Sequence, residues 1–343
     1  MPRRLICTAP GQLAWEEYQE PDLGPDEVRI AADYAAAKHG TEMAVFKGYG
    51  LERGVYNSQT QLFGAAEPAF SAFPMRVGNM VVGRVTACGS EVHGLEPGDR
   101  VCCYGGFGEV ITARASFCRK MPTGMAWQSA VCLDPADFAL GAVRDGHVRL
   151  GDAVALFGAG AIGLVVLQML RLAGARPVIA VEPLASRRAI AQALGADMVL
   201  DPAACDAGSE IRRLTAGRGA DVCIDYSGSR AALQKALRGV AYGGTLVLGA
   251  YPGPYGAGLD LGAEAHHNVP SIVFSRACSE PLRDHPRWDN ARLYDTAWAL
   301  LASGRLTGEP IVQPIVRFAD LMTEYPGIST DPGRYIKLGV RFA

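Results

Sequence analysis

From residue 149 onward the chain alternates short apolar strands with helices, and few architectures accept that rhythm. VALF enters a glycine turn and the helix AIGLVVLQMLRLAGA; PVIAVE is followed by SRRAIAQALGA; MVLD, DVCIDYSG, GTLVLGAY and SIVFSRAC continue the series to residue 278. Strands joined by helices of this length run parallel, and their right-handed crossovers cover both faces of the sheet. A doubly wound α/β domain is therefore expected over 149–278. Residues 1–148 read differently. EVRIAADYAA, VVGRVTACGSEV and RVCCYGGFGEVITA are short strands punctuated by Gly, Pro and Asp, the texture of a barrel-like β domain. Residues 279–343 carry the amphipathic helix NARLYDTAWALLASGRL and a mixed tail expected to fold back on that first domain.

Composition narrows the function. The 343 residues carry a formal net charge of -2, which supplies no basic face for nucleic acid and no polybasic membrane anchor. No apolar run reaches the ~20 residues a membrane span needs, and MPRRLICTAPGQLAWEE lacks the apolar core of a signal peptide, so a cytoplasmic protein is expected. The nine cysteines are scattered and never spaced as CxxC, which reads as reduced thiols rather than disulfides or a zinc cluster.

The glycine turn is Gly158-Ala159-Gly160-Ala161-Ile162-Gly163, a GxGxxG run that leaves a strand and opens a helix. In that context Gly158 permits the tight turn and Gly160 the close approach of pyrophosphate oxygens. Gly163 lets the helix pack on the strand, and the helix N-terminus offers N–H groups to the anion. Glu182 ends the next strand nineteen residues after Gly163, where a carboxylate accepts from the adenosine ribose hydroxyls and repels a 2′-phosphate. NAD is the cofactor this pattern selects, with Arg187 and Arg188 on the following helix softening the preference against NADP.

Taken together, VGNMVVGRVTACGSEVHGLEPGDRV, the stretch from VALFGAGAIG to AVE, RRAIAQALGAD, ADVCIDYSGS, GTLVLGAY and GRYIKLGV resemble the medium-chain dehydrogenase/reductase superfamily, nearest its alcohol and polyol branch. The resemblance covers nearly the whole chain. It implies a GroES-like β-barrel catalytic domain from both chain ends (1–148 and 279–343) with a Rossmann NAD-binding domain (149–278) inserted. It carries further cofactor contacts to Ser227, Gly249 and Lys337, and it implies a homodimer or homotetramer acting on a small polar molecule.

The chain departs from this family where the chemistry sits. Zinc-type members place a Cys where this chain has His39, in His39-Gly40-Thr41-Glu42. Their His-Glu pair falls on Asn79-Met80, their third ligand on Asp134 before Pro135, and the four-Cys lobe for structural zinc is missing. Asn and Met are poor zinc ligands, so no catalytic zinc is expected. Without a metal, a side chain must take the alcohol proton. His39 is the default base, Asp134 the carboxylate that fixes its tautomer, and Thr41 the relay hydroxyl, while Glu42 is either a supporting partner or the base itself. Lys38 is a further base candidate. The same residues have plainer readings: His39 as a strand-end histidine, Asp134 as a helix cap, Glu42 as a surface carboxylate. Tyr49, Tyr56 and Trp288 are candidate pocket aromatics.

Three functions stay open at this point. The first is a zinc-independent, NAD-dependent dehydrogenase oxidising a secondary hydroxyl of a sugar, aminosugar, cyclitol or similar polar metabolite. The second is a zinc-free enoyl or quinone reductase, against which Glu182 counts because those enzymes often use NADPH. The third is an NAD-binding protein without catalysis.

Overall fold

Six parallel strands carry the second half of the chain, as the alternation implies. They lie in the order Met198–Leu200, Val178–Val181, Val154–Phe157, Ala220–Asp225, Val240–Leu248 and Ser271–Phe274. In the computed structural model, which describes residues 1–48, 54–64, 73–251 and 254–342, every residue of Val154–Phe157 and Val178–Val181 is buried. These strands are sandwiched between helices, which is why they read as unbroken apolar runs rather than alternating ones. The winding reverses between Val154–Phe157 and Ala220–Asp225, paired from Val154↔Val222 to Phe157↔Asp225. At such a switch point the loops leaving the two strands diverge and open a crevice.

The chain divides into two compact units, 128–311 and 1–127 with 312–343. The sheet unit therefore reaches beyond the 149 and 278 expected from the strand–helix alternation. The reason is packing: helix Leu133–Asp145 lies against helices Ala161–Leu172 and Asn290–Ala302 and buries Leu133, Ala136, Ala139, Ala142 and Val143 there. Its sequence belongs to no βαβ repeat, so alternation alone leaves it out.

The other unit is built on the strand Glu27–Ala36. One edge of this strand pairs with Met80–Cys88 from Val28↔Cys88 to Ala36↔Met80. Its other edge is shared: Glu27–Ala31 pairs with Val110–Arg114, and Tyr34–Ala36 with Gly339–Arg341. The last strand of the chain thus completes a sheet begun by the first domain, the GroES-like arrangement of both chain ends. All nine cysteines are free, and among the described residues no helix is long and apolar enough to cross a membrane.

Candidate active site

The switch-point crevice begins at the glycine turn. Gly158 adopts φ +95, and a Cβ there would meet the Ser227 nitrogen at 2.8 Å, so the two diverging loops touch through this glycine. A Cβ on Gly163 would stand 2.0 Å from the Gly158 oxygen, which excludes any side chain while the helix packs this close. A Cβ on Gly160 would meet only Arg187 Nη1, at 3.8 Å. The turn is therefore closed on its inner side and open at Gly160. Gly160 also begins helix Ala161–Leu172, and no side chain caps that end. The N–H groups of Ala161, Ile162 and Gly163 point out of the helix start with its positive dipole end, the donor set that holds a pyrophosphate. The residues present fit a dinucleotide.

Glu182 is buried and braces the crevice: Oε2 accepts from the Ala159 N–H at 2.8 Å and Oε1 from the Leu184 N–H at 3.0 Å. Each oxygen keeps a second lone pair for a ribose hydroxyl. Arg187 faces this carboxylate, and burial pushes its guanidinium below its ordinary range. Arg188 is tied elsewhere, to the carbonyls of Glu182 and Pro183 and to Asp201 at 3.0 Å.

Across the crevice Ser227 donates from N (2.8 Å) and Oγ (2.6 Å) to Asp225 Oδ1. Asp225 is 1% exposed, burial raises its carboxyl above the ordinary range, and its Oδ2 has no partner. Nothing in the sequence marks Asp225, because strand-end carboxylates are common and carry no spacing signal. Gly249 acquires a packing reason for being glycine. A Cβ there would lie 2.4 Å from the Tyr226 ring, whose hydroxyl donates to the Phe138 carbonyl at 2.8 Å.

The remaining candidates divide between the units, Asp134 on one and His39, Thr41, Glu42 and Lys337 on the other. Asp134 is buried in the first turn of helix Leu133–Asp145, whose N-cap residue is Cys132, so Asp134 favours the helix dipole without being its cap. His39 opens helix His39–Phe46. Its Nε2 accepts from the Leu338 N–H at 2.9 Å, so the neutral ring carries its proton on Nδ1. Thr41, two residues on in the same first turn, is exposed.

Glu42 is a buried carboxylate rather than a surface one. Oε2 accepts from the Lys38 N–H at 2.8 Å, and Oε1 from the Gly78 N–H at 2.6 Å and from the Tyr325 hydroxyl. Burial raises its carboxyl; the Tyr325, Gly78 and Lys38 hydrogen bonds and the Lys337 charge oppose that rise. Lys337, 2% exposed, donates to the Ala37 carbonyl at 2.8 Å. Tyr325 is fully buried, with its ring edge-on to Phe46 and Phe107. No sequence pattern marks it, since its partner lies 283 residues away. Tyr49 lies outside the described residues, Tyr56 sits on the exposed hairpin of Val55–Asn57 and Leu62–Gly64, and the Trp288 ring is in contact with the guanidinium groups of Arg144 and Arg292. Among the described residues no three His, Cys, Asp or Glu side chains gather closely enough to hold a metal.

The chain matches two family models in tandem: the alcohol dehydrogenase GroES-like domain over residues 24–140 and zinc-binding dehydrogenase over 161–275. It is 43% identical to D-guloside 3-dehydrogenase of Escherichia coli strain K12, across 99% of this chain and 100% of that one. The chain belongs to the medium-chain alcohol dehydrogenase family. Among solved structures of this fold, an Escherichia coli oxidoreductase/dehydrogenase of unknown specificity superposes with a TM-score of 0.81 at 21% identity, covering 100% and 99% of the two chains. An Escherichia coli CFT073 dehydrogenase complexed with NADH superposes with a TM-score of 0.77 at 20% identity, covering 99% of each. The glycine turn, the uncapped helix start and the strand-end acid of this chain are the features that fit a dinucleotide.

Proposed function

We propose that the protein is an NAD-dependent dehydrogenase that oxidises a secondary ring hydroxyl of a sugar derivative, with a glycoside oxidised at carbon 3 as the first substrate to try. The observation that carries this reading is the full-length 43% identity to a D-guloside 3-dehydrogenase, joined to a glycine turn open only at Gly160 and braced by Glu182. When bound, the nicotinamide accepts the hydride from the carbinol carbon. The protein's own residues hold the dinucleotide at Ala161–Gly163 and Glu182, and handle the hydroxyl at the His39 turn. Glu42 holds rather than reacts, because its oxygens already accept from Lys38, Gly78 and Tyr325.

The test is turnover of glycosides against enones, each with NAD and NADP. Glycoside oxidation with a clear NAD preference is expected. Glu182→Ala should narrow that preference by about 1–3 kcal/mol, the worth of a charge-assisted hydrogen bond. Enone reduction without alcohol oxidation, or equal use of both cofactors by the unaltered protein, overturns the assignment.

We further propose that the reaction runs without zinc. Met80 points into the core at 0% exposure, and His39 Nε2 already accepts a main-chain N–H, so the donor set does not fit the metal. Elemental analysis should find well under one zinc per chain, and chelators should leave rate and Tm unchanged. One tightly held zinc per chain sinks this reading.

The edge strand Ser271–Phe274 presents Ile272 (43% exposed) and Phe274 (70%) on a sheet edge that no strand among the described residues pairs with. A bare apolar edge of this kind is normally covered, and we propose that a second copy of the chain covers it about a two-fold axis. Light scattering should report a dimer or a multiple of it, and Ile272→Lys should shift the protein toward monomer; a monomeric wild type contradicts the proposal.

A further inference from the structure

We propose that a cavity at the far edge of the parallel sheet binds a small anion with an aliphatic body, its phosphate or carboxylate head held by Arg149 and Arg305. The site is separate from the glycine turn and does not depend on the dehydrogenase reading above.

The cavity measures about 520 Å³ and lies wholly within the unit 128–311. Small-ligand sites commonly fall between about 300 and 1,000 Å³. Arg149 precedes strand Val154–Phe157 and the glycine turn follows it, so this cavity and the cofactor crevice stand at opposite edges of one sheet. Three helices end at the cavity. Leu133–Asp145 brings Leu140, Val143 and Arg144 to its lining, Ala161–Leu172 brings Met169 and Leu172, and Asn290–Ala302 brings Leu300, with Arg305 just beyond. The Gly151 N–H donates to the Gly174 carbonyl at 2.9 Å, which ties the Arg149 loop to the end of the second helix.

The wall is apolar and aliphatic. Leu172 lines it while remaining 44% exposed, so a hydrocarbon body seated here removes apolar surface from water. Among the described lining residues there is no aromatic ring. A nucleobase therefore has no face to stack on, and an aliphatic chain is the better fit.

The rim is cationic. Arg144, Arg149, Arg287 and Arg305 line the cavity with one carboxylate among the described lining residues, Asp284, in a chain whose net charge is -2. Asp284 is occupied: it accepts from Arg144 and lies 3.9 Å from Arg287. Arg149 and Arg305 are exposed, and neither guanidinium has a hydrogen-bond or ion-pair partner among the described residues. Basic residues at helix C-termini offset the dipole, but each end carries only about half a negative charge. Three such ends and Asp284 still leave guanidinium charge in excess. His147 adds an imidazole to the same rim from φ +51, a helix-closing position where glycine is the usual residue. Two planar guanidinium forks beside an aliphatic wall match an oxyanion head on a hydrocarbon chain.

The test is calorimetric titration of the full chain with octyl phosphate, octanoate, octanol and inorganic phosphate, below micelle-forming concentrations, with and without saturating NADH. At least one of the two amphiphilic anions should bind with NADH present, about tenfold or more tighter than octanol or inorganic phosphate, which each supply half of the ligand. The head that binds tighter names the anion. Combining Arg149→Gln with Arg305→Gln should weaken that anion by about tenfold per guanidinium, the worth of one charge-assisted hydrogen bond. Tm and NADH affinity should stay as they were, because both side chains are exposed and unpartnered. Displacement of the probe by NADH would place it in the cofactor crevice and overturns the proposal. Octanol matching the anions would mean an apolar recess alone, and inorganic phosphate matching them would mean surface charge alone; either result overturns it. So does unchanged affinity in the double variant, a Tm several degrees lower there, or no binding of either amphiphile at about 1 mM.

Discussion

His39→Ala is expected to lower kcat by about 10²–10³, while His39→Gln keeps activity within about tenfold of wild type. The contrast follows from the Leu338 contact. With Nε2 accepting that N–H at 2.9 Å, the neutral imidazole is fixed with its proton on Nδ1. Taking a further proton on the ring would set one N–H against another, so we propose that His39 serves the substrate oxygen as a donor and not as the base. Glutamine can imitate both halves of that role, with its carbonyl accepting from Leu338 and its amide donating. It cannot titrate. Steady-state kinetics across pH therefore separates the two mechanisms: in His39→Gln the alkaline rise in oxidation rate should survive, because another group takes the proton. If His39→Gln is as inactive as His39→Ala and the rise disappears, the base is His39 after all.

Gly163→Val should weaken cofactor binding strongly. A Cβ at this position would stand 2.0 Å from the Gly158 oxygen, so the helix start must move off the strand. Overpacking of this kind costs about 1–3 kcal/mol of stability, and a shift near 1 Å in the anion site should weaken NADH by about 10²-fold. Gly160→Ala supplies the contrast. Its Cβ would meet only Arg187 Nη1 at 3.8 Å, so Tm should barely change while NADH still weakens, since the methyl occupies the side from which pyrophosphate approaches. Fluorescence titration and thermal melts of the two variants check both statements. Unchanged NADH affinity in Gly163→Val would remove this turn from the cofactor site.

The cofactor side was legible because its determinants are local. A strand, a turn with glycines at fixed offsets and the acid Glu182 on the next strand all fall within 29 residues of sequence, from Val154 to Glu182. The unit boundaries were less so, since helix Leu133–Asp145 joins the sheet unit through packing and not through the strand–helix period. The chemistry of the His39 turn was least legible. His39 and Glu42 stand out by type, yet what each can do depends on partners some 300 residues away, Leu338 for one and Tyr325 for the other. Glu42 reads on paper as a surface carboxylate or a base, and only the three donors around it show that it is a buried, held carboxylate. Asn79 and Met80 stand out in the sequence only by taking the place of the family's His-Glu pair.

The strand Gly339–Arg341, which pairs with Tyr34–Ala36, sets an order of events during synthesis. Strand Glu27–Ala36 leaves the ribosome early but cannot fill its second edge until almost the whole chain has followed. The Lys337–Ala37 bond likewise waits for a partner 300 residues on. Contacts of that separation close slowly because the intervening loop must first be drawn in. The sheet unit, contiguous over 128–311, can fold while the rest is still being made and so shortens that loop. Until the final strand docks, the His39 turn lacks both Leu338 and Lys337, so a nascent chain would acquire its doubly wound sheet well before it acquires an ordered His39 turn.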